Sequence, residues 1–116
     1  MDPIERKNIE SIFESLSPKD RITIIRHGIS LYLSALKKRL FLAQAKIRQF
    51  EEKYNISLER LDKKGLPDNA DYQMHEDYLM WHHWVDNIRK LKKQIDILDS
   101  SASHGLYTSE ELYVSD

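Results

Sequence analysis

The sequence predicts an all-α protein: an antiparallel helical hairpin of two long, coiled-coil-like helices, with a short helix before it and a flexible acidic tail after it. Three observations carry this. Apolar residues recur at steps of three and four across two long stretches, about 17–54 and 72–98, which is the period of one helix face. Gly and Pro number three each in 116 residues, too few for the turns of a β sandwich or barrel. Gly65-Leu66-Pro67-Asp68-Asn69 forms a loop between the stretches, and a short connection makes consecutive helices antiparallel neighbours. The expected division is a hairpin domain over 1–99 and an acidic tail over 100–116.

The elements follow in chain order. Asp2-Pro3-Ile4-Glu5 is a helix start, with Asp2 as cap, Pro3 at the first helical position and Glu5 at the capping-box position. Ile4, Ile9, Ile12, Phe13 and Leu16 make the helix that follows amphipathic. Ser17-Pro18-Lys19-Asp20 repeats the same grammar and opens the long helix, on the order of 55 Å if unbroken. Its expected seam is Ile22, Ile25, Ile29, Tyr32, Leu36, Leu40, Ala43, Ile47, Phe50 and Tyr54, with one four-residue stutter between Leu36 and Leu40. Gly28 lies inside this helix and marks either a kink, a close helix crossing or a tolerated glycine. Asn55 suits the C-terminal cap. Ser57 caps a short turn over 58–63, and Asp68, Asn69 or Asp71 caps the next helix. That helix carries Tyr78, Trp81, Val85, Ile88, Leu91, Ile95 and Leu98. The tail is polar, with Leu106, Tyr107, Leu112, Tyr113 and Val114 interspersed.

Composition excludes several classes. Cysteine is absent, so disulfides and thiolate zinc sites are out, and a cytoplasmic protein is expected. MDPIERKNIE has no apolar leader core, and the longest uncharged run, His27 to Leu36, is ten residues, about half a membrane span. No membrane association is expected. Net charge is −1 but unevenly spread: Lys19 to Arg48 holds eight Lys/Arg and one acid, whereas Asp99 to Asp116 holds four acids and no Lys or Arg.

No constellation predicts catalysis. A metal pair on a helix needs spacing of three or four, but His75 and His82 are seven apart; only His82/Asp86 and His83/Asp86 qualify, and boundary histidines beside Trp81 and Trp84 explain them as well. No serine sits in a nucleophile elbow and no Gly-rich phosphate loop is present. Neither an enzyme nor a cofactor is expected. Lys37, Lys38, Arg39, Lys46 and Arg48 are the candidate phosphate contacts if the protein touches nucleic acid, a reading that the overall pI of about 6.5 does not favour. Residues 9–25 also suit a helix-turn-helix, although the second helix is far too long for a compact reader.

The patterning instead leaves apolar residues over. Ile24, Leu31, Leu33, Phe41 and Leu42 fall off the seam of the first long helix, and Leu79, Met80 and Trp84 off that of the second. With Tyr107 and Tyr113 of the tail they are the candidate partner-binding residues. An oligomer or a stable hetero-complex is the expectation, because exposed patches of this kind mark interfaces.

The stretch Phe50-Glu51-Glu52-Lys53-Tyr54-Asn55-Ile56-Ser57-Leu58-Glu59-Arg60-Leu61, the Gly-Leu-Pro-Asp loop, and His75-Glu76-Asp77-Tyr78-Leu79-Met80-Trp81-His82-His83-Trp84 carry a resemblance. Over about residues 45–98 the chain resembles small helical antitoxin-like proteins of archaea and bacteria, encoded beside proteins regarded as ribonuclease toxins. Those proteins show an F-x-x-K-Y-G helix end and an acidic E-D-Y-x-E-W-E helix start. Here Asn55 replaces the glycine, Leu58 and Leu61 stand where aromatics are common, and His82 and His83 where acids are common. The resemblance implies a hairpin that binds a partner toxin and blocks its active site, with the acidic tail either as an anionic decoy in a basic cleft or docked on its own chain. A homo-oligomeric scaffold or small regulator is the alternative reading, and a nucleic-acid-binding accessory the second.

Overall fold

The structure, a computed structural model, describes residues 2–100, and every regular element among them is an α-helix: α1 (Pro3–Ser15), α2 (Pro18–Tyr54), α3 (Leu58–Lys64) and α4 (Tyr72–Ser100). None of these helices is long and apolar enough to cross a membrane.

The helix ends form where short polar side chains replace missing backbone partners. Asp2 Oδ1 accepts from the Ile4 and Glu5 amides, both at 2.9 Å, with Pro3 in the first turn. Ser17 Oγ accepts from the Asp20 amide at 3.1 Å ahead of Pro18. α2 ends at Tyr54 because Asn55 turns left-handed, with φ 52°. Ser57 Oγ takes the Arg60 amide at 3.2 Å to open α3, and Gly65, at φ 81°, closes it. Of the three candidate caps for α4, Asp71 does the capping: its Oδ1 accepts from the Met74 amide at 2.8 Å.

The burial pattern along α2 differs from the expected seam. The main row of side chains shielded from solvent is Ile22, Arg26, Ile29, Leu33, Leu36, Leu40, Ala43, Ile47, Phe50 and Tyr54, with Arg21, Gln44 and Ala45 half-buried beside it. The steps of this row alternate four and three throughout, so the stutter at Leu36 to Leu40 does not occur. Ile25 and Tyr32 lie on the solvent side, 39% and 45% exposed, while Arg26 and Leu33 take their places. Apolarity alone pointed to Ile25 over Arg26, but the aliphatic stem of an arginine can also cover apolar surface. α4 shows the corresponding stripe of Met74, Asp77, Trp81, Trp84, Ile88, Leu91, Ile95 and Leu98, and the expected seam residues Tyr78 and Val85 beside it also pack on the core.

The chain divides into two compact units, one of residues 35–96 and one in which 97–100 join 2–34 among the described residues. Among the described residues, the buried apolar side chains all lie in the 35–96 unit: Leu36, Ala43, Leu58, Leu61, Trp81, Leu91 and Ile95. Its best-defined cluster is Leu58, Leu61 and Trp81, surrounded by residues of α2 and α4 that include Ile47, Phe50, Tyr54, Met74 and Val85, and by Ile56 and Leu66 on either side of α3. Phe50 and Tyr54 stack on Trp81, with ring centroids 5.5 and 6.1 Å away. In the other unit no described residue is fully buried; Phe13, Leu16, Ile22, Ile29, Leu33 and Leu98 are half-buried.

Candidate interaction surface

The polar chemistry of the 35–96 unit is organised around two carboxylates. Asp77 is buried on the core side of α4, one turn before Trp81. Lys53 Nζ donates to its Oδ2 at 2.6 Å, the Tyr54 hydroxyl donates to the same oxygen, and Gln73 Nε2 donates to Oδ1 at 2.8 Å. Hydrogen bonds from Lys53 and then Tyr54 hold the Asp77 carboxyl below the usual carboxylate range, outweighing its burial. The same contact raises Lys53. Tyr54 is raised, first by burial and then by its bond to Asp77. This clasp ties the end of α2 to the start of α4.

The second carboxylate, Asp62 on α3, accepts on Oδ1 from the Tyr78 hydroxyl and lies 2.7 Å from His82 Nε2. The bonds from Tyr78 and His82 lower its pKa. His82 therefore reaches α3 rather than Asp86, which instead meets Arg89 at 3.2 Å within α4. His75 and His83 are exposed, and among the described residues no three His, Asp or Glu side chains are grouped to hold a metal ion.

Two open clefts mark this unit. One, of about 360 Å³, lies between the end of α2, the 65–71 loop and the first turn of α4, with Lys53, Tyr54, Pro67, Asn69, Gln73 and Met74 on its walls. The other, about 370 Å³, is a groove lined by Gln44, Ile47, Arg48, Glu51, Ile88 and Lys92. In the first, Lys53 and Gln73 already serve Asp77. Both clefts are open to solvent and lined mainly by polar and charged side chains.

The candidate partner-binding residues divide by exposure. Leu31 is 76% exposed, Phe41 64% and Leu79 63%; Ile24, Leu42 and Met80 are also on the surface. Leu33 and Trp84 are half-buried, on the stripes of α2 and α4. Tyr107 and Tyr113, with the tail from 101 onward, lie outside the described residues. Lys37, Lys38, Arg39, Lys46 and Arg48 are all exposed on α2.

The residues that carried the family resemblance have a shared physical meaning. Phe50, Lys53, Tyr54, Asp77, Tyr78 and Trp81 are the stacked and hydrogen-bonded group described above. Sequence reasoning placed Tyr54 and Tyr78 on the seams and assigned Lys53 and Asp77 no role. The available signal was an acid at a stripe position, since Asp77 stands four residues before Trp81 on the same face. Compared with family models, with curated proteins and with solved structures, the chain finds no match.

Proposed function

We propose that this chain is a protein-interaction module, an antiparallel hairpin of two coiled-coil-like helices that binds and neutralises a partner protein of the nuclease-toxin class. The observation that carries the reading is a ratio. Among the described residues thirteen large hydrophobic side chains are exposed, against seven apolar residues buried. Single exposed apolar side chains are ordinary, but an excess over the core is what an interface leaves behind when its partner is absent. The hairpin is supported by the direction of the contacts: Tyr54 meets Asp77, Phe50 meets Trp81, and Gln44 shares a groove with Ile88 and Lys92. The nuclease class rests on the resemblance of residues 45–98 to antitoxin-like proteins. The acid-only segment from Asp99 to Asp116 suits an anionic decoy, with Tyr107 and Tyr113 as anchors.

The test is genetic and biochemical together. The neighbouring gene is expressed alone and then with this chain. Toxicity alone and rescue on co-expression, with the two products co-purifying at fixed stoichiometry, is the expected result. A pull-down from the native host that recovers only the chain itself counts against the reading. Replacing Phe41 and Leu79 by Asp should abolish rescue while leaving the fold intact, since both are exposed.

The same apolar excess favours a second reading, a homo-oligomeric scaffold or small regulator with no enzyme partner. A stable oligomer with no rescue of any neighbouring toxin would favour it over the first. Nucleic-acid binding through Lys37, Lys38, Arg39, Lys46 and Arg48 ranks third. It requires a gel shift at low salt that weakens steeply as salt rises.

A further inference from the structure

We propose that two copies of this chain associate through α1 and the first half of α2, with α1 of each copy lying on residues 18–34 of the other. The inference does not depend on which partner the module binds. It assigns Ile24 and Leu31 to self-association and leaves Phe41, Leu42, Leu79 and Met80 for the partner.

α1 buries none of its residues, and Ile4, Ile9 and Ile12 are 74%, 52% and 64% exposed. A helix of 13 residues is marginal by itself and needs an apolar face covered. The first half of α2 has the matching deficit. Ile24, Ile25, Leu31 and Tyr32 are exposed and, at spacings of one and seven, share one face of the helix. Gly28 lies between the two pairs on that face, and a Cβ built there would meet nothing within 4 Å. It leaves an open notch where another backbone can approach closely.

Both apolar faces are exposed within one chain, and their charges suit a second copy as the occupant. From Asp2 to Ser15 there are four acids (Asp2, Glu5, Glu10, Glu14) and two bases (Arg6, Lys7), a balance of −2. From Pro18 to Ser34 there are three bases (Lys19, Arg21, Arg26) and one acid (Asp20), a balance of +2 with His27 neutral. An acidic amphipathic helix therefore faces a basic one, and the pairing is reciprocal. Such an isologous interface closes at two copies rather than growing into a filament. Scaled by their exposure, the seven exposed apolar residues of α1 and α2 present on the order of 800 Å², about one partner's share of a standard interface.

The test uses the full chain, followed by light scattering and sedimentation across the micromolar range. Wild type should be a dimer. Leu31→Asp alone and Ile9→Asp with Ile12→Asp should each give monomers with helical circular dichroism retained, because all three positions are exposed. An equimolar mixture of the two monomeric variants should recover heterodimer, since the intact α1 of one can still dock on the intact α2 of the other. A monomeric wild type, a larger assembly, a dimer that survives Leu31→Asp, or a mixture that stays monomeric would each overturn the proposal. The two assignments separate cleanly. Leu31→Asp should lose the dimer and keep toxin rescue, whereas Phe41→Asp with Leu79→Asp should keep the dimer and lose rescue.

Discussion

Asp77 is a carboxylate placed where the stripe of α4 would otherwise take an apolar side chain, and it is held there by Lys53, Tyr54 and Gln73. A buried charge is tolerated when each lone pair is met, and removing one partner leaves the rest uncompensated. Asp77→Asn should therefore destabilise the protein more than Lys53→Ala, whose ammonium is half in solvent. Because the folded carboxyl titrates below the unfolded one, its contribution is present above the ordinary carboxylate value and is lost as pH falls through the folded value. Thermal melts should show wild type losing stability below about pH 4 and Asp77→Asn losing less over the same range. Lys53 and Tyr54 are shifted upward, so their share is present at neutral pH and lost as pH rises beyond about 10. Trp81 is fully buried, and Trp81→Ala should cost about 3–5 kcal/mol in a denaturant titration. Trp81→Phe should cost markedly less, because Phe keeps an aromatic stack with Phe50.

At the scale of the element, the ends of the helices were legible and the face of α2 was not. Asp2, Ser17 and Ser57 cap as their sequence positions indicate, since capping involves residues only two or three apart. Asn55 adopts the left-handed conformation expected after Tyr54. A side chain with a β-branch there would pay roughly 1–2 kcal/mol, so Asn55→Val should lower stability by about that much, whereas Asn55→Gly should be neutral or stabilising. The seam of α2 is a different kind of problem. Ile25 and Arg26 lie 100° apart on the helix, as do Tyr32 and Leu33, and either member of each pair continues a three-four pattern. Apolarity favoured Ile25, whereas the structure shields Arg26 and Leu33 instead. Gly28 is open rather than squeezed against another element, so Gly28→Ala should raise helix stability by up to about 1 kcal/mol when the protein is dilute.

For the whole molecule, the distribution of core makes a directional prediction. The fully buried apolar residues belong to the 35–96 unit, and none lies among residues 2–34 or 97–100. Local opening is easiest where few apolar contacts are buried. Hydrogen exchange at high dilution should therefore protect amides of 36–61 and 77–95 most and α1 least. At concentrations that favour a dimer, α1 and the first half of α2 should gain protection. Uniform protection across all four helices in dilute solution would contradict this distribution. The exposed candidates Ile24, Leu31, Phe41, Leu42, Leu79 and Met80 were legible because a stripe has a finite width and surplus apolar residues fall outside it. Leu33 and Trp84 were not, because their membership of a stripe depends on which way the helix is rotated toward its neighbour.

The sequence by itself determined that the described residues are helical, where α1, α2 and α3 begin, and that the apolar residues exceed what the stripes can cover. Each of these is local: helix period, caps and turns depend on residues within a few positions of one another. Only the tertiary structure decided that Arg26 and Leu33 join the stripe of α2 in place of Ile25 and Tyr32, and that Asp71 caps α4. It alone decided that Asp77 is held by Lys53 and Tyr54, and that His82 turns to Asp62. Those outcomes depend on the rotation of one helix against another or on which of several nearby side chains reaches a shared partner. That is a competition between groups distant in sequence, whose result no local spacing records.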